Sequence, residues 1–359
     1  MRIKVYGKMK FIKYVYILVA ALSLSACVDP SMQNEDGYHD PDAIQSPSIN
    51  SFKASSLNEP QFNKIYLMSL NEKPRDATPK NQAFEFHRRA SFNSKVKGIY
   101  ISQSTLEDRK YLEYLIRRSQ EVGINTFIID MNGVTNAYEK NILLVKNAGI
   151  RYVARVVVFP YGGNHQNMHS ESYWMSRYRL VDAAIKLGAD EIQLDYIRYA
   201  ASNYPSSQNA QDVHNVISWF RNKIDNRAKL QIDVFGESSF KESPRIGQNV
   251  QVFAPSVDAV CPMLYPSHFE PFREHAKRPY NIIYAALTKL KGQFASNTPP
   301  FKLYPYVELS NYRHSFSDEQ LVGYIHAQIK AVEDANADGW YVWSAKNKYD
   351  RLFNIMASS

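Results

Sequence analysis

The sequence predicts a single-domain α/β fold, a (β/α)8 TIM barrel, and three observations support it. Between residue 95 and residue 359, short apolar strand patterns alternate with amphipathic helix patterns through eight repeats. The strand patterns are apolar on both faces, as expected when helices cover the outside of a sheet and side chains fill its inside. A doubly wound sheet is the alternative, but no predicted strand is followed by a Gly-x-Gly-x-x-Gly turn.

The predicted elements share lengths and turn signals typical of βα units. Three of the predicted helices end at a glycine that is typical of a C-terminal cap. These glycines are Gly123, Gly149 and Gly188. The predicted strands are residues 98–102, 126–130, 152–159, 191–195, 231–235, 259–264, 302–307 and 339–343. The predicted helices are residues 107–121, 138–148, 172–187, 210–225, 245–252, 279–290, 318–335 and 347–357.

The N-terminus predicts an export signal over residues 1–26. Its first part is basic, and an apolar run over residues 14–22 follows, shorter than the roughly 20 residues that a transmembrane helix needs. The sequence Leu-Ser-Ala-Cys at residues 24–27 resembles the bacterial lipobox, which implies cleavage before Cys27 and a lipid on it. An ordinary secretory signal with an incidental cysteine is the alternative.

The residue after Cys27 bears on the expected location. It is Val28 rather than aspartate. By resemblance to the sorting rule of enteric bacteria, this implies that the protein is anchored in the cell envelope at the outer membrane. We therefore expect a membrane partner only through the lipid on Cys27.

The segment between Cys27 and the barrel has a different composition. Residues 28–60 are rich in Ser, Asn, Asp, Pro and Gln and poor in aliphatic side chains, so they cannot bury enough surface to order themselves. Residues 61–94 are ambiguous, with one apolar patch at residues 65–70. The predicted domain plan is a signal peptide at 1–26, a lipidated Cys27 with a flexible tether and N-terminal extension at 27–94, and a barrel at 95–359.

The net charge and the number of cysteines bear on whether the protein binds nucleic acid and whether it forms disulfides. The formal net charge is +8, and the first 26 residues contribute five cations and no acid, so the remainder carries +3. No basic stripe with interleaved aromatics is present, and we expect no nucleic-acid partner. Once Cys27 carries lipid, Cys261 is the remaining thiol, so no intrachain disulfide can form. Cys261 is interpreted as a small buried hydrophobe.

Acidic residues lie where a barrel places its chemistry. Reacting groups in barrels come from the C-terminal ends of the strands, and four predicted strands end in an acid: Asp130, Asp195, Asp233 and Glu308. A fifth acid, Glu237, lies just beyond the fifth strand. By contrast, Asp258 and Asp338 precede their strands, so they belong to the opposite end of the barrel and are interpreted as structural.

Asp195 is the strongest candidate among these acids. It ends an apolar strand, where an acid is costly to bury unless it is paired. Arg155 and Arg198 are predicted to hold it ionised, because a nearby cation favours the charged form of a carboxylate. A purely structural pairing with either arginine is the alternative. As the second carboxylate, Asp233 on the neighbouring strand and Glu237 remain rivals.

Aromatic side chains accompany these acids. Tyr265, His268, Tyr304 and Trp343 could stack on sugar rings or bond to them, with simple barrel packing as the alternative for each. Paired carboxylates among aromatic platforms are the arrangement that glycoside hydrolysis needs, with one acid protonated and the other ionised. Asp195, Asp233 and Glu237 are therefore the predicted catalytic residues. The predicted substrate-binding residues are Asp130, Arg155, Arg198, Tyr265, His268, Glu308 and Trp343.

Histidine usage argues against a metal centre. The sequence has no His-x-His pair, and the four-residue spacing of His165 and His169 in a polar loop is a weak metal signal. We expect no cofactor and no metal.

Several blocks in one consistent order are also familiar. They lie at residues 98–101, 127–131, 152–159, 190–199, 233–236, 247–249, 262–268 and 337–340. Together they resemble a bacterial family of predicted glycoside hydrolases related to the α-amylase-type barrels and long classed as a domain of unknown function. The resemblance covers about residues 95–350 and implies a (β/α)8 barrel and a carbohydrate substrate.

Two departures from the family pattern keep other functions open. Met131-Asn132-Gly133 follows Asp130, where relatives usually carry a second acid. The loop at residues 161–166 is short and polar, where relatives have a longer stretch with Trp and Pro. The leading hypothesis is a lipid-anchored envelope glycosidase that cleaves a polysaccharide or glycan. A non-catalytic glycan-binding or scaffold lipoprotein is the second, and a metal-dependent barrel hydrolase is the third.

Overall fold

The computed structural model describes residues 95–358. The predicted export signal, the lipidation site Cys27 and the tether lie outside these residues. No helix within residues 95–358 has both the length and the apolar character that crossing a bilayer requires.

Parallel strands form a closed barrel, which confirms the predicted fold class. Each strand pairs with its neighbours in parallel, and pairings of the first strand with the last and of the fifth with the sixth close the sheet. The strands are β1 (Val96–Ile101), β2 (Thr126–Asp130), β3 (Arg151–Val157), β4 (Glu191–Asp195), β5 (Lys229–Phe235), β6 (Ala259–Met263), β7 (Lys302–Leu303), β8 (Tyr306–Glu308) and β9 (Gly339–Trp343).

The seventh barrel strand is divided into β7 and β8, where the sequence predicted one strand. Pro305 lies in the interruption. Proline has no amide hydrogen and cannot donate to a neighbouring strand, although its carbonyl accepts from the amide of Tyr341. The nine segments therefore occupy eight positions around the barrel.

Helices follow the strands around the outside. They are α1 (Gln103–Glu107), α2 (Arg109–Glu121), α3 (Asn136–Asn147), α4 (His165–Met168), α5 (Glu171–Lys186), α6 (Gln208–Ile224), α7 (Val250–Phe253), α8 (Phe272–Lys277), α9 (Pro279–Lys291), α10 (Asp318–Asp334) and α11 (Asp350–Ala357). Helix α10 begins with a capping box in which Ser317 and Gln320 bond to each other's backbone amides. The glycines after α2, α3 and α5 have φ between 74° and 78°, as predicted for C-terminal caps.

The crossover after β5 differs from the prediction. A helix was expected over residues 245–252, but α7 is a single turn, and a short 3-10 turn over Gly236–Ser239 precedes it. Residues 240–249 form turns and one isolated bridge, and Asn209 on α6 donates to the carbonyls of Pro244 and Arg245. This irregular segment lies at the end of the barrel that carries the acids.

Two layers of packing hold the barrel together. One core lies between the sheet and the helices, and a second fills the barrel with residues such as Val153, Cys261 and Tyr306. Inside, Gln193 donates to the Gln231 side chain at 3.2 Å and accepts from the Tyr306 hydroxyl at 2.9 Å. Burial raises the pKa of the Cys261 thiol well above its ordinary value, in keeping with its structural interpretation. This bonded layer forms the floor beneath the acidic strand ends.

Acids at the opposite end of the barrel bind the backbone of neighbouring strands. Asp190, Asp258 and Asp338 each precede a strand and accept the amide of Tyr152, Leu230 or Leu303 at 2.8–3.0 Å. Asn125 accepts the Lys97 amide in the same way at 3.0 Å. The structural role predicted for Asp258 and Asp338 agrees with these bonds.

Candidate active site

Three charged side chains meet at the C-terminal end of the barrel. Arg155 on β3 donates from Nη1 to Asp130 Oδ1 at 2.6 Å and from Nη2 to Asp195 Oδ2 at 2.5 Å. Its Nε adds a second bond to Asp195 Oδ2 at 2.9 Å. All three residues are at least nine-tenths buried. One guanidinium therefore bridges the carboxylates of β2 and β4, which offsets the cost of burying both.

Two aromatic rings complete this cluster. The hydroxyl of Tyr100 on β1 donates to Asp130 Oδ2 at 2.5 Å. The Tyr100 ring stacks on Trp343 at the end of β9, with centroids 4.0 Å apart. The Arg155 guanidinium lies 5.5 Å from the centroids of both rings. The aromatic pair therefore forms one wall beside the charges.

The backbone after β4 supplies the remaining contact of Asp195. The amide of Tyr196 donates to Asp195 Oδ1 at 2.5 Å. Tyr196 has φ of 51°, in the left-handed region that non-glycine residues rarely occupy. This turn sends the chain sharply away from the strand. As a result, both oxygens of Asp195 accept hydrogen bonds within the protein.

Asp233 lies on the adjacent strand in a contrasting environment. Leu194 on β4 is opposite Ile232 on β5, so Asp195 and Asp233 occupy the next positions along the two strands. Asp233 is 3 % exposed, and its Oδ1 makes no hydrogen bond with any residue in 95–358. Burial, and then the charge of Asp195, raise the pKa of Asp233 well above its ordinary value. The protonated form of Asp233 is therefore favoured beside an ion-paired carboxylate.

Glu237, the rival for the second carboxylate, lies elsewhere. It belongs to the short 3-10 turn after β5, and its side chain is exposed to solvent. It forms no ion pair with the residues that the structure describes. Asp233, in contrast, is buried on the strand next to Asp195.

Glu308, at the end of β8, is held by protein groups. Its carboxylate accepts bonds from the Ser267 amide at 3.0 Å, the Ser267 hydroxyl at 2.6 Å and the Tyr324 hydroxyl at 2.5 Å. Burial raises the pKa of Glu308 to about 7, although these bonds oppose the shift. The residue therefore ties the loop after β6 to helix α10, and its predicted sugar contact stays a prediction.

The other predicted ring residues divide between the two halves of the barrel. Tyr265 is buried, and burial followed by the charges of Asp233 and Asp195 raises its pKa well above the ordinary value. His268 opens to solvent, with its ring 5.3 Å from that of Tyr265. Tyr304, in contrast, packs on Tyr341 inside the barrel and faces the lower half with Glu191 and Arg151. Tyr304 therefore lies away from Asp195 and Asp233, and its predicted sugar contact stays a prediction.

The two predicted arginines also differ. Arg155 makes the expected pair with Asp195. Arg198 instead lies over the rings of Tyr196 and Phe235, 5.2 and 5.0 Å from their centroids, and donates to the Tyr199 carbonyl at 2.9 Å. It makes no hydrogen bond with Asp195.

The sequence prediction missed Tyr100, although it was detectable. Successive side chains of a strand alternate between the two faces, and Gly98 on β1 faces the Tyr341 and Ile128 side chains inside the barrel. Tyr100, two residues further, therefore points inward at the end of the strand. The prediction considered only acids, arginines and the later aromatics at the strand ends.

The described residues offer few ligands for a metal ion. Within residues 95–358, no three His, Cys, Asp or Glu side chains converge in a group that could hold an ion. The rings of His165 and His169 are 4.4 Å apart, and His169 Nε2 lies 3.5 Å from Asp212 Oδ2. Asp212 is already bonded to the Tyr199 hydroxyl at 2.8 Å.

Comparison with known families identifies the group to which this sequence belongs. A family model described as "Putative glycosyl hydrolase domain" matches residues 160–349, just over half of the chain. The chain belongs to this family. The matched region begins after β3 and includes Asp195, Asp233 and Glu308, whereas Asp130 and Arg155 precede it. A search of curated protein sequences found no match.

Solved structures place the same fold in several glycan-degrading proteins. The glycoside hydrolase domain of PgaB (BpsB) from Bordetella bronchiseptica is 12% identical with a TM-score of 0.51, covering 73% of this chain and 98% of that one. The endo-beta-1,4-mannanase from Thermotoga petrophila is 11% identical with a TM-score of 0.52, covering 74% and 76%. The spore cortex-lytic enzyme SleL from Bacillus cereus is 11% identical with a TM-score of 0.51, covering 73% and 74%. At these sequence identities, the similarity shows only that this chain shares its fold with those proteins.

Proposed function

We propose that this family member is a glycoside hydrolase in which Asp195 and Asp233 act as a pair of carboxyl groups with opposite protonation. The observation that carries the proposal is their placement on adjacent strands at the C-terminal end of the barrel. Asp195 is paired with Arg155 at 2.5 Å, and Asp233 is buried with an unbonded Oδ1. Glycoside hydrolysis needs one ionised and one protonated carboxyl group.

The proposed mechanism assigns one step to each acid. Asp233 donates its proton to the glycosidic oxygen as the bond from that oxygen to the anomeric carbon breaks, and the leaving sugar departs as an alcohol. Asp195 stabilises the positive charge that develops on the ring, either by attacking the anomeric carbon or by accepting a proton from the attacking water. In the first route, Asp233 takes a proton from water, and the oxygen of that water displaces Asp195 from the anomeric carbon. In the second route, Asp195 releases the accepted proton to solvent, and solvent reprotonates Asp233. Water supplies the new hydroxyl in either route. Arg155 keeps Asp195 oriented throughout.

The proposed location is the bacterial cell envelope, with the enzyme anchored by lipid on Cys27. Its support is the order of a basic segment, an apolar run and the lipobox-like residues 24–27. Metabolic labelling of the expressed protein with an alkyne fatty acid tests this part. We expect label on the wild type and none on Cys27→Ser, and equal labelling of both would contradict the anchor.

The proposed function is tested by replacing an aspartate with asparagine at the end of β4 and, separately, just before β4, and by comparing kcat. Release of reducing ends from a panel of neutral, amino and acidic polysaccharides identifies a substrate for the wild type. Asp195→Asn should lower kcat by about 10³-fold or more, because an amide can neither ionise nor accept the proton. Asp190→Asn is the matched control, since it precedes the same strand, and its kcat should stay within about twofold. Equal activity of Asp195→Asn and the wild type would refute the assignment.

A non-catalytic glycan-binding protein is the second candidate. Arg155 donates to Oδ2 of Asp195 and the Tyr196 amide donates to Oδ1, so the protein already binds both oxygens of this carboxylate. A carboxylate restrained in this way could serve recognition alone. Tight glycan binding without any released sugar, across the whole panel, would favour this candidate over the hydrolase.

A further inference from the structure

Arg198 occupies a distinctive position beside the acids. It lies three residues after Asp195, and its guanidinium lies over Tyr196, just past β4, and Phe235, which ends β5. These are the two strands that carry Asp195 and Asp233. Phe235 is 39 % exposed, so the platform that carries the guanidinium is open to solvent. The cation therefore lies beside the ends of the two strands that carry the acids.

Arg198 forms no ion pair in the described part of the chain, although the charge of Asp195 acts on it from a longer distance. Within residues 95–358, the Arg198 side chain makes one hydrogen bond, to the Tyr199 carbonyl. Arg155 offers the opposite case, because Asp130 and Asp195 occupy its donors. A half-buried guanidinium without an ion pair carries a desolvation cost that two ring contacts and one carbonyl bond offset only in part.

The backbone around Arg198 keeps it in place. The Gly163 amide donates to the Arg198 carbonyl at 2.8 Å, and the Ala200 amide donates to the Gly163 carbonyl at 3.0 Å. Gly162 has φ of 96°, and a Cβ there would lie 2.7 Å from Arg198 Nη1. The loops after β3 and β4 are thus joined directly beneath the guanidinium. A donor that is fixed before binding loses little entropy when a ligand arrives.

We propose that Arg198 forms an anion subsite that selects glycans bearing an acidic group, a sugar carboxylate or sulfate, next to the scissile bond. A guanidinium presents parallel N–H donors that match the oxygens of such a group, and a charge-assisted pair is stronger than a neutral hydrogen bond. Neutral sugars would leave this cation without a partner. The inference rests on the proposed function for its carbohydrate substrate class.

Binding to matched glycan pairs tests the subsite directly. The probes are oligosaccharides of polygalacturonate, alginate and hyaluronan, each compared by calorimetry with its carboxyl-reduced form. Sulfated and desulfated chondroitin oligosaccharides separate sulfate from carboxylate as the anion. For the full-length wild type, we expect at least one acidic form to bind about tenfold or more tightly than its neutral counterpart, as one charge-assisted pair provides.

Variants then assign the preference to one residue. Arg198→Gln should reduce the acidic preference to near parity, whereas Arg198→Lys should keep part of it through its charge. Arg245→Gln is the matched control, because Arg245 lies at the same end of the barrel and its side chain donates to the Asn203 carbonyl at 2.8 Å. That variant should keep the preference, which excludes a general effect of net charge.

Three results would overturn the subsite. They are a wild type with no acidic preference in any pair, an Arg198→Gln variant that keeps the preference, and an Arg245→Gln variant that loses it equally. If the wild type hydrolyses a neutral glycan and shows no acidic preference, the proposed function is supported and only the subsite is refuted. Acidic binding through Arg198 without any hydrolysis would remove the proposed function and leave the subsite.

Discussion

The two ends of this barrel use aspartate for opposite purposes. At the N-terminal end, Asp190, Asp258 and Asp338 accept backbone amides of neighbouring strands, and two of them also bind a surface lysine. At the C-terminal end, Asp195 and Asp233 face the interior, where one is paired with a cation and the other lacks a hydrogen bond on Oδ1. The first group precedes its strands, whereas Asp195 and Asp233 belong to their strands.

The difference shows how local environment assigns a role to a carboxyl group. An acid that accepts backbone amides at a partly exposed edge contributes to stability. A buried acid beside another acid is costly, and the fold tolerates it where the altered protonation is useful. Substitutions at the two ends should therefore separate stability from activity.

The largest effect on stability is expected for Arg155→Met. The change leaves Asp130 and Asp195 buried without their shared cation, which should cost about 3–5 kcal/mol in the free energy of unfolding. Urea denaturation measures this loss. Arg198→Met is the matched control, because it removes an arginine without a carboxylate partner and should cost much less. A loss below about 1 kcal/mol for Arg155→Met would show that the bridge does not hold the site together.

A pH-dependent effect is expected at Glu308. Its folded-state pKa of about 7 lies above the ordinary value of 4.5, so the folded protein retains a proton that the unfolded chain releases. Stability should therefore fall as pH rises through that interval, by about 3 kcal/mol in total from this group, and then level off. Glu308→Gln should remove this component. Parallel pH profiles of unfolding free energy for the wild type and the variant would contradict the shift.

A smaller effect is expected at the N-terminal end from Asp258→Ala. The substitution removes the acceptor of the Leu230 amide and the partner of Arg221, which should cost about 1–3 kcal/mol. Asp258→Asn keeps an acceptor oxygen and should cost less. For both variants kcat should match the wild type on whichever glycan the wild type cleaves. A large drop in kcat with unchanged stability would break the division of roles between the two ends.

Much of this arrangement was predictable from the sequence because it depends on strand order. Residues at strand ends meet in any parallel barrel, so Asp195, Asp233 and Arg155 could be grouped without coordinates. The division of the seventh strand at Pro305 and the position of Tyr304 below the acids were not anticipated. Nor was the exposure of Glu237, since it depends on how the irregular segment after β5 folds.

Individual contacts at the site were harder to predict than the grouping. The bond from Tyr100 to Asp130 joins residues 30 apart in sequence, and that from Arg155 to Asp195 joins residues 40 apart. Such pairings depend on the stagger of adjacent strands, which a hydrophobic pattern does not specify. The position of Arg198 over two rings likewise follows from the left-handed turn at Tyr196.

The protonation state of Asp233 tests the central claim most directly. Carboxyl ¹³C NMR titration of aspartate-labelled protein, with Asp233→Asn to assign the resonance, reports the pKa of this group in place. We expect the Asp233 resonance to keep its protonated shift through the pH range in which ordinary aspartates, with a pKa of about 3.9, have already ionised. A resonance that titrates near about 3.9 would contradict the account, because the site would then have no acid to protonate the leaving sugar.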